Sequence, residues 1–284
     1  MYNVFEFKIY YFNFMLTLTK KEGKMEENIL HKLWEHELII LDEFVRICKK
    51  HNLQYFLMWG TLIGAVRHGG FIPWDDDIDV CMPREEYKKF LKIAPSELGE
   101  KFFLQYSKTD KYTPAPFAKI RLNNTAFYEK DDDNFKRHRG IFIDIIPLDS
   151  RKQKEGVFYK IKRKIATTIK NHIVKKLQGK STKHTFYLNL FPCSLLASVR
   201  DKLYEGKGDY YESWGFVFAK SDFDPAVELE FCGKKYSVPK NYDSVLTNVY
   251  GNYMELPPED KRVAHFPEVI SFDLEKDNSE VNNG

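Results

Sequence analysis

The feature that most constrains this chain is the segment from residue 59 to 83, WGTLIGAVRHGGFIPWDDDIDVCMP. Near its end, Asp77 and Asp79 alternate with the apolar residues Ile78 and Val80. Because alternate residues of a β-strand share a face, this pattern predicts a strand with two carboxylates side by side. Neighbouring carboxylates repel each other unless a cation lies between them, and oxygen ligands suit Mg²⁺ or Mn²⁺. The segment therefore predicts a metal-binding strand with Asp77 and Asp79 as ligands.

Two other interpretations of these aspartates are open. Asp75, Asp77, Asp79 and Glu86 have the spacing of ligands in an EF-hand calcium loop, but Val80 stands where that loop requires a glycine. A solvated acidic turn also collects aspartates, although the interleaved apolar residues favour a strand. We rank both below the metal-binding strand.

The residues before the aspartates predict an anion site. Gly60 and Thr61 follow a short apolar run that reads as a strand, and a helical turn from Leu62 to Arg67 is expected next. The unpaired N–H groups at a helix start attract anions, the Thr61 hydroxyl can donate to a phosphate, and Arg67 can bind one bidentately. An ion pair between Arg67 and one of the aspartates explains that arginine equally well.

The longer string is more specific than a Gly-Thr turn followed by Asp-x-Asp. Residues 60–68, GTLIGAVRH, with residues 73–79, PWDDDID, closely resemble the signature of the LicD family. That family includes bacterial phosphorylcholine transferases and fukutin-type ribitol-phosphate transferases. The resemblance implies an α/β (α+β) fold with a nucleotidyltransferase-like mixed sheet flanked by helices. It also implies that the donor's phosphates are bound by Gly60, Thr61, Arg67 and His68.

A second basic pair resembles the same family. Lys119 and Arg121 alternate with apolar residues, which puts them on one face of a predicted strand. Such a face either binds phosphates or simply meets solvent. The resemblance favours the phosphate role for both residues.

The third informative segment, residues 140–149, reads GIFIDIIPLD. A continuous apolar run of this kind predicts a buried strand, in which an unpaired Asp144 would be costly. A buried arginine could pair with it. The family resemblance instead makes Asp144 the third carboxylate, either a metal ligand or the base that takes the acceptor's proton. Asp149 follows a proline and is expected to be a cap or turn residue.

Composition and pattern suggest a division of the chain into parts. The aromatic segment 1–24 is either an interfacial anchor or an untranslated stretch before a true start at Met25, and the second alternative is preferred. The remaining parts are a catalytic core (25–150), a strongly basic helical insertion (151–225), the C-terminal part of the catalytic domain (226–270) and a disordered polar tail (271–284).

Charge and cysteine usage exclude several classes of protein. A net charge of +3 gives no overall nucleic-acid signal, so any basic surface must be local. The four cysteines are scattered, which argues against a zinc site or a disulfide framework and favours a reducing cytoplasm. The basic insertion is either a solvated helix face or a contact with an anionic membrane surface.

The resemblance implies a metal-dependent phosphotransferase that moves a phospho-alcohol from a CDP-activated donor to a hydroxyl of a cell-surface glycan or glycolipid precursor and releases CMP. CDP-choline is the favoured donor, with CDP-ribitol or CDP-glycerol as rivals.

Trp59 and Trp74 could surround a choline group or belong to the core. Beside His265, Phe266 stands where the family often has a second histidine, which leaves the role of His265 open. A true nucleotidyltransferase that releases pyrophosphate, or a non-catalytic glycan-binding protein, are the alternatives.

Overall fold

The structure, a computed structural model, describes residues 27–128, 136–262 and 267–275. The predicted extension 1–24 and His265 lie outside these residues. Within the described ranges, none of the helices combines the length and apolar character that crossing a bilayer requires.

The described residues form an α+β fold of helices around a mixed sheet. The helices are α1 (Glu27–Lys50), α2 (Trp59–His68), α3 (Arg84–Glu97), α4 (Val157–Leu177), α5 (Cys193–Tyr204) and α6 (Tyr242–Tyr250). The strands are β1 (Phe56–Leu57), β2 (Asp79–Pro83), β3 (Phe102–Gln105), β4 (Ala118–Leu122), β5 (Ala126–Tyr128), β6 (Phe142–Arg151), β7 (Tyr210–Ser213), β8 (Phe216–Ala219), β9 (Val227–Phe231), β10 (Lys234–Val238) and β11 (Val269–Ser271). Short 3-10 helices span Lys183–Leu190, Lys220–Asp222 and Glu259–Lys261.

The central sheet has the strand order β1-β2-β6-β4-β3. Strands β2 and β6 are parallel, and the other pairs are antiparallel. β6 is ten residues long, so its first half pairs with β4 while its last residues pair with the β7–β8 hairpin. β6 therefore connects the β7–β8 hairpin to the rest of the central sheet.

Helix α1 covers one face of this sheet. Its apolar residues recur every three or four positions, and Leu33, Ile40, Leu41 and Phe44 are completely buried. The helix packs against β4 and β6. Lys49 and Lys50 in its last turn suit the negative end of the helix dipole.

The basic insertion is shorter than the predicted range 151–225. Arg151 is the last residue of β6, and residues 210–219 return to the central sheet as the β7–β8 hairpin. Between them α4 and α5 pack on each other around a small separate core of Ile169, Ile173, Leu196 and Ala197. A pairing between β6 and a hairpin some sixty residues later leaves no local signal in the sequence, which is why the boundary was misplaced.

Asp149 was predicted to be a cap or turn residue, and that prediction is wrong. It lies in β6, is 6% exposed, and accepts hydrogen bonds from Arg84 Nε at 2.7 Å and Nη2 at 2.9 Å.

The EF-hand interpretation is also wrong, because Asp79–Pro83 is a strand and Glu86 lies on α3, where it pairs with Lys89.

The tail was expected to be disordered from residue 271. That expectation is wrong for residues 271–275, because Ser271 pairs with Ala126 in the β5–β11 ribbon and Leu274 N donates to Asn124 O. Residues 276–284 lie outside the described part of the chain.

Candidate active site

Three strands of the central sheet place a row of charged side chains on one face. Asp79 on β2 is the register partner of Asp144 on β6, and Asp144 is the register partner of Lys119 on β4. Register partners in a sheet project to the same side. Lys119 Nζ lies 2.6 Å from Asp144 Oδ1. We call Asp79, Asp144 and Lys119 the charged row.

Asp77 joins this row from just outside the strand. β2 begins at Asp79, although Asp144 N donates to Ile78 O at 2.9 Å, so the sheet pairing reaches one residue further back. Burial, followed by the charges of Asp77 and Asp144, raises the pKa of Asp79 well above its usual range. The carboxylates of Asp77 and Asp79 therefore lie close enough to repel each other.

The buried carboxylate of Asp79 lacks a full set of partners. Asp79 is 6% exposed, and its Oδ1 accepts no hydrogen bond from any described residue. A buried acceptor left in this way is costly unless an ion or ligand completes it. Paired carboxylates with an uncompensated oxygen are the donor chemistry that Mg²⁺ or Mn²⁺ fits.

Within the ranges that the structure describes, no three His, Cys, Asp or Glu side chains already form a set that could hold a metal ion. Lys119 Nζ lies 2.6 Å from Asp144 Oδ1, so a cation at that oxygen would compete with the ammonium group. Mg²⁺ in phosphate-transfer sites commonly takes one or two carboxylates and completes its shell with water and substrate phosphate. Asp77 and Asp79 fit that mode better than a three-carboxylate cage does.

Helix α2 begins directly beside these aspartates. The carboxylate of Asp75 packs against its first turn so closely that a Cβ on Gly60 would lie 2.6 Å from Asp75 Oδ2. A side chain at position 60 would therefore have to displace the Asp75 carboxylate. Burial, together with Asp77 and Asp76, raises the pKa of Asp75 to about 8.

Thr61 lies inside α2 and supports β2. Its Oγ1 accepts a hydrogen bond from the backbone N–H of Asp79 at 2.8 Å, and Thr61 is 3% exposed. A hydroxyl that accepts from one partner can still donate its own proton. The helix was predicted to start after Thr61; its actual start at Trp59 places the hydroxyl against the strand.

Arg67 and His68 lie at the other end of α2. Arg67 Nη1 donates to Tyr253 O at 2.6 Å and its Nε donates to His68 Nε2 at 2.9 Å. The alternative ion pair between Arg67 and an aspartate does not form among the described residues. Burial and the nearby charge of Arg262 lower the pKa of Arg67. Arg262 in turn lies over Trp74, 5.1 Å from the ring centroid, so a basic cluster borders the loop that carries the aspartates.

Arg121 is buried and holds a neighbouring loop. Its Nη1 donates to Gly140 O at 2.6 Å, its Nε donates to Gln105, and its guanidinium lies 4.6 Å from the Phe142 ring centroid. Lys119 Nζ lies 3.4 Å from the same centroid. The two basic residues thus share a strand face as predicted, but Lys119 faces the carboxylates and Arg121 faces the 138–140 segment.

Two residues at the site were not predicted. Glu37 on α1 is 2% exposed, and its Oε2 accepts no hydrogen bond from the described residues. Burial, followed by the charges of Asp77, Asp76 and Asp75, raises the pKa of Glu37 well above its usual range. Its spacing of four from both Leu33 and Leu41 marks it as a carboxylate on an apolar helix face, which is the signal that could have found it.

The second such residue is Tyr250, the last residue of α6. Burial and the charges of Asp79, Asp75 and Asp77 raise the pKa of its phenol. The C-terminal part of the chain therefore reaches the carboxylates from a sequence distance of more than 170 residues.

Comparison with known proteins relates this geometry to a family. Residues 52–178 match the family model described as LicD/FKTN/FKRP, nucleotidyltransferase domain. The chain is 31% identical over 257 residues to the lipopolysaccharide cholinephosphotransferase LicD of Haemophilus influenzae, covering 82% of this chain and 95% of that protein.

More distant or shorter matches point the same way. The chain is 25% identical over 111 residues to the human ribitol 5-phosphate transferase FKRP, covering 39% of this chain and 22% of that protein. It is 48% identical over 46 residues to an uncharacterised protein of Rickettsia typhi, covering 16% of this chain and 15% of that protein.

Proposed function

Because the chain belongs to the LicD family, we propose that it transfers a phospho-alcohol, with phosphocholine favoured, from a CDP-activated donor to a hydroxyl of a cell-surface glycan or glycolipid precursor. The charged row is the observation that carries this proposal. It combines carboxylates suited to a divalent cation with an ammonium group, directly beside the N-terminal end of α2. This set of groups suits the binding and redistribution of charge on a pyrophosphate.

In the proposed reaction, the acceptor hydroxyl oxygen forms a bond to the phosphorus that carries the alcohol. The bond between that phosphorus and the oxygen bridging to the nucleotide phosphate breaks, and its electron pair leaves with CMP. The hydroxyl proton passes to Asp144. A divalent cation held by Asp77 and Asp79 would neutralise the charge of the pyrophosphate.

The Lys119 ammonium group favours the base role of Asp144 over a role as metal ligand. It lies 2.6 Å from Asp144 Oδ1 and would compete with a metal for that oxygen. In this role the Asp144 carboxylate would accept the proton of the acceptor hydroxyl. Arg67, with His68 beside it and Arg262 nearby, supplies positive charge for the donor's phosphates from the other side of the aspartate loop.

Similarity to a ribitol 5-phosphate transferase supports CDP-ribitol as the second candidate donor. We would incubate the purified protein with Mg²⁺, an O-deacylated lipopolysaccharide acceptor and, separately, CDP-choline, CDP-ribitol, CDP-glycerol or CTP. CMP release with one CDP-alcohol, and transfer of its alcohol to the glycan, is the expected result. Pyrophosphate release from CTP would instead identify a nucleotidyltransferase.

Calorimetry of the same ligands with Mg²⁺ and then with EDTA separates binding from turnover. We expect Mg²⁺-dependent binding of one CDP-alcohol. Failure to bind any of them would reject the proposed donor class and revive the glycan-binding alternative.

The proposal also covers the basic helix α4. We propose that α4 contacts an anionic membrane surface that carries the glycolipid precursor. Val157, Ile161 and Ile165 are between 47% and 75% exposed, and Lys160 and Lys164 flank them on the helix. Apolar residues bordered by lysines suit the boundary between headgroups and acyl chains. A cytoplasmic location at the inner face of the membrane is part of this proposal.

A further inference from the structure

A cavity of about 640 Å³ lies where the helical insertion meets the central sheet. Its walls come from β6, from α4, and from the turn between β7 and β8. A volume of this size is typical of sites for small ligands and would accommodate one or two sugar rings.

The cavity adjoins the charged row. Ile146, in its wall, lies two residues beyond Asp144 on β6, so both side chains project from the same face of the strand. Two residues along a strand span roughly 7 Å. Phe117, also in the wall, directly precedes β4, and its ring centroid lies 5.6 Å from Lys119 Nζ. The part of the cavity lined by Ile146 and Phe117 therefore lies beside Asp144 and Lys119, whereas Pro147 and Asp149 line it from the other face of β6.

An aromatic platform stands in the cavity wall on the side of α2. Trp214, in the β7–β8 turn, is 54% exposed. Its ring stacks on Trp59, the first residue of α2, with centroids 4.8 Å apart and planes inclined by 14°. Phe117 lies 6.3 Å from Trp214, centroid to centroid. An indole that is supported from behind and half exposed is ready to stack on a further flat, partly apolar group.

Polar groups line the opposite wall. Arg163, Thr167 and Lys170 recur at helical spacing on α4 and therefore face the cavity together. Arg163 pairs with Glu212 and lies over Tyr204. The wall thus carries the Thr167 hydroxyl and the Lys170 ammonium group together with the Glu212 carboxylate.

We propose that this cavity binds a sugar ring of the acceptor; the inference rests on the proposed transferase function and adds the place where its acceptor lies. A pyranose has a face of C–H groups that loses contact with water when it stacks on an indole, and a rim of hydroxyls that both donate and accept. Trp214 matches the C–H face, and Thr167, Lys170 and Glu212 match the rim. A nucleotide polyphosphate fits less well, because the carboxylates Asp149 and Glu212 also line the cavity.

The test uses saturation-transfer NMR on the full chain with the methyl β-glycosides of glucose, galactose and N-acetylglucosamine as probes. Thr167→Trp fills the cavity from an exposed position on α4, so it does not burden the fold. Lys164→Trp is the matched control, since Lys164 is also exposed, lies one turn earlier and does not line the cavity. Trp214→Ala removes the platform from the other side. Thermal unfolding of each variant checks that it is folded.

We expect saturation of the ring protons of at least one glycoside in the unmodified protein. Thr167→Trp and Trp214→Ala weaken that binding about tenfold or more, whereas Lys164→Trp changes it less than about twofold. CDP-choline binding, measured by calorimetry with Mg²⁺, stays unchanged in Thr167→Trp. No saturation of any probe, equal saturation in Thr167→Trp, or displacement of the glycoside by CDP-choline would overturn the assignment. Sugar binding without binding of any CDP-alcohol would reject the proposed function and leave the cavity as a saccharide site.

Discussion

At the scale of single residues, Asp79 shows how the fold fixes a backbone and leaves its side chain to a ligand. Its N–H donates to Thr61 Oγ1 at 2.8 Å, and its carbonyl accepts from Met58 N at 3.1 Å. Its Oδ1 is buried with no hydrogen bond from the described residues. The main chain therefore fixes the position of Asp79, and the cation that we propose for this site would require little reorganisation on binding.

We predict that Asp77→Asn and Asp79→Asn each abolish Mg²⁺-dependent release of CMP while the protein stays folded. Loss of a ligand carboxylate should lower kcat by about a thousandfold or more. In EDTA, Asp79→Asn should unfold at a temperature no lower than the unmodified protein, because it removes a buried charge that its neighbours repel. Enzyme assays and thermal unfolding measure the two effects, with the exposed Asp209→Asn as control. Full activity in either variant would contradict the ligand assignment.

His138 gives a residue-scale prediction about pH. Its Nδ1 accepts the Gly140 N–H at 3.1 Å and its Nε2 lies 2.9 Å from Asn123 Oδ1, which is the bonding of a neutral ring. Burial, followed by the charge of Arg121, lowers the pKa of His138 from 6.5 to about 4. Between these two pH values the unfolded chain binds a proton that the folded protein does not. The stability that depends on the neutral ring is therefore complete above about pH 6.5 and is lost as the pH falls towards 4.

The expected result is that the free energy of unfolding of the unmodified protein falls relative to that of His138→Gln as the pH is lowered from 7 to 4. Since His138 is only partly buried, solvent screening reduces the effect to about 1–2 kcal/mol. Urea unfolding at several pH values measures it. His31→Gln, at a mainly exposed histidine, serves as the control. A pH-independent difference between His138→Gln and the unmodified protein would show that the ring takes up its proton at the same pH in the folded and unfolded states.

At the scale of elements, the isoleucines in the first half of α4 have a different environment from those in the second half. Ile169 and Ile173 are buried against α5, whereas Ile161 and Ile165 are about half exposed. These isoleucines recur every four residues, but those in the first half of α4 face solvent and those in the second half are buried in the small core between α4 and α5. The exposed part would be costly in water unless something covers it, and the surrounding lysines favour an anionic surface.

We predict that the protein sediments with vesicles containing 30% phosphatidylglycerol more than with purely phosphatidylcholine vesicles. Lys160→Glu/Lys164→Glu should weaken this binding about thirtyfold or more, since each basic residue near such a surface contributes about 1 kcal/mol. Lys235→Glu/Lys240→Glu makes the same charge change at exposed positions outside α4 and should have a smaller effect. Equal losses in both double variants would mean that overall charge, rather than α4, drives the binding. Unchanged binding in the α4 variant would exclude the helix as the contact.

At the scale of the whole molecule, the site is completed by parts of the chain that are distant in sequence. Arg67 donates to the carbonyl of Tyr253, Tyr250 approaches the aspartates, and β11 pairs with β5. These contacts bring the C-terminal part of the chain against the motif near residue 60. The candidate site therefore includes Tyr250 and Tyr253 as well as the segment that carries the aspartates.

The features that could be predicted from the sequence are those encoded in local patterns of apolar and polar residues. The α+β fold, the strand that carries Asp144, and the shared face of Lys119 and Arg121 all follow from alternation and apolar runs. The return of the β7–β8 hairpin and the pairing of Ser271 depend on contacts between distant segments, which no local periodicity encodes. Asp149 looked like a turn residue because its partner, Arg84, lies 65 positions away. The roles of the site residues remain predictions.

The crowding of carboxylates also predicts how the whole molecule responds to its ligands. Asp75, Asp77, Asp79 and Glu37 oppose one another when no cation is bound, so binding should add to the stability of the fold. With Mg²⁺ and CDP-choline at about a hundred times the dissociation constant, the free energy of unfolding should rise by about 2.7 kcal/mol. In EDTA, CDP-choline should add much less, and Asp79→Asn should remove the Mg²⁺-dependent part.

Urea unfolding with and without the ligands measures this linkage, and Asp209→Asn should behave as the unmodified protein does. Equal stabilisation by CDP-choline in Mg²⁺ and in EDTA would mean that the donor binds without a cation held by these carboxylates. Greater stabilisation by CTP than by any CDP-alcohol would favour nucleotidyl transfer. Because the shift is read from the unfolding of the whole chain, it reports donor binding even before the acceptor is known.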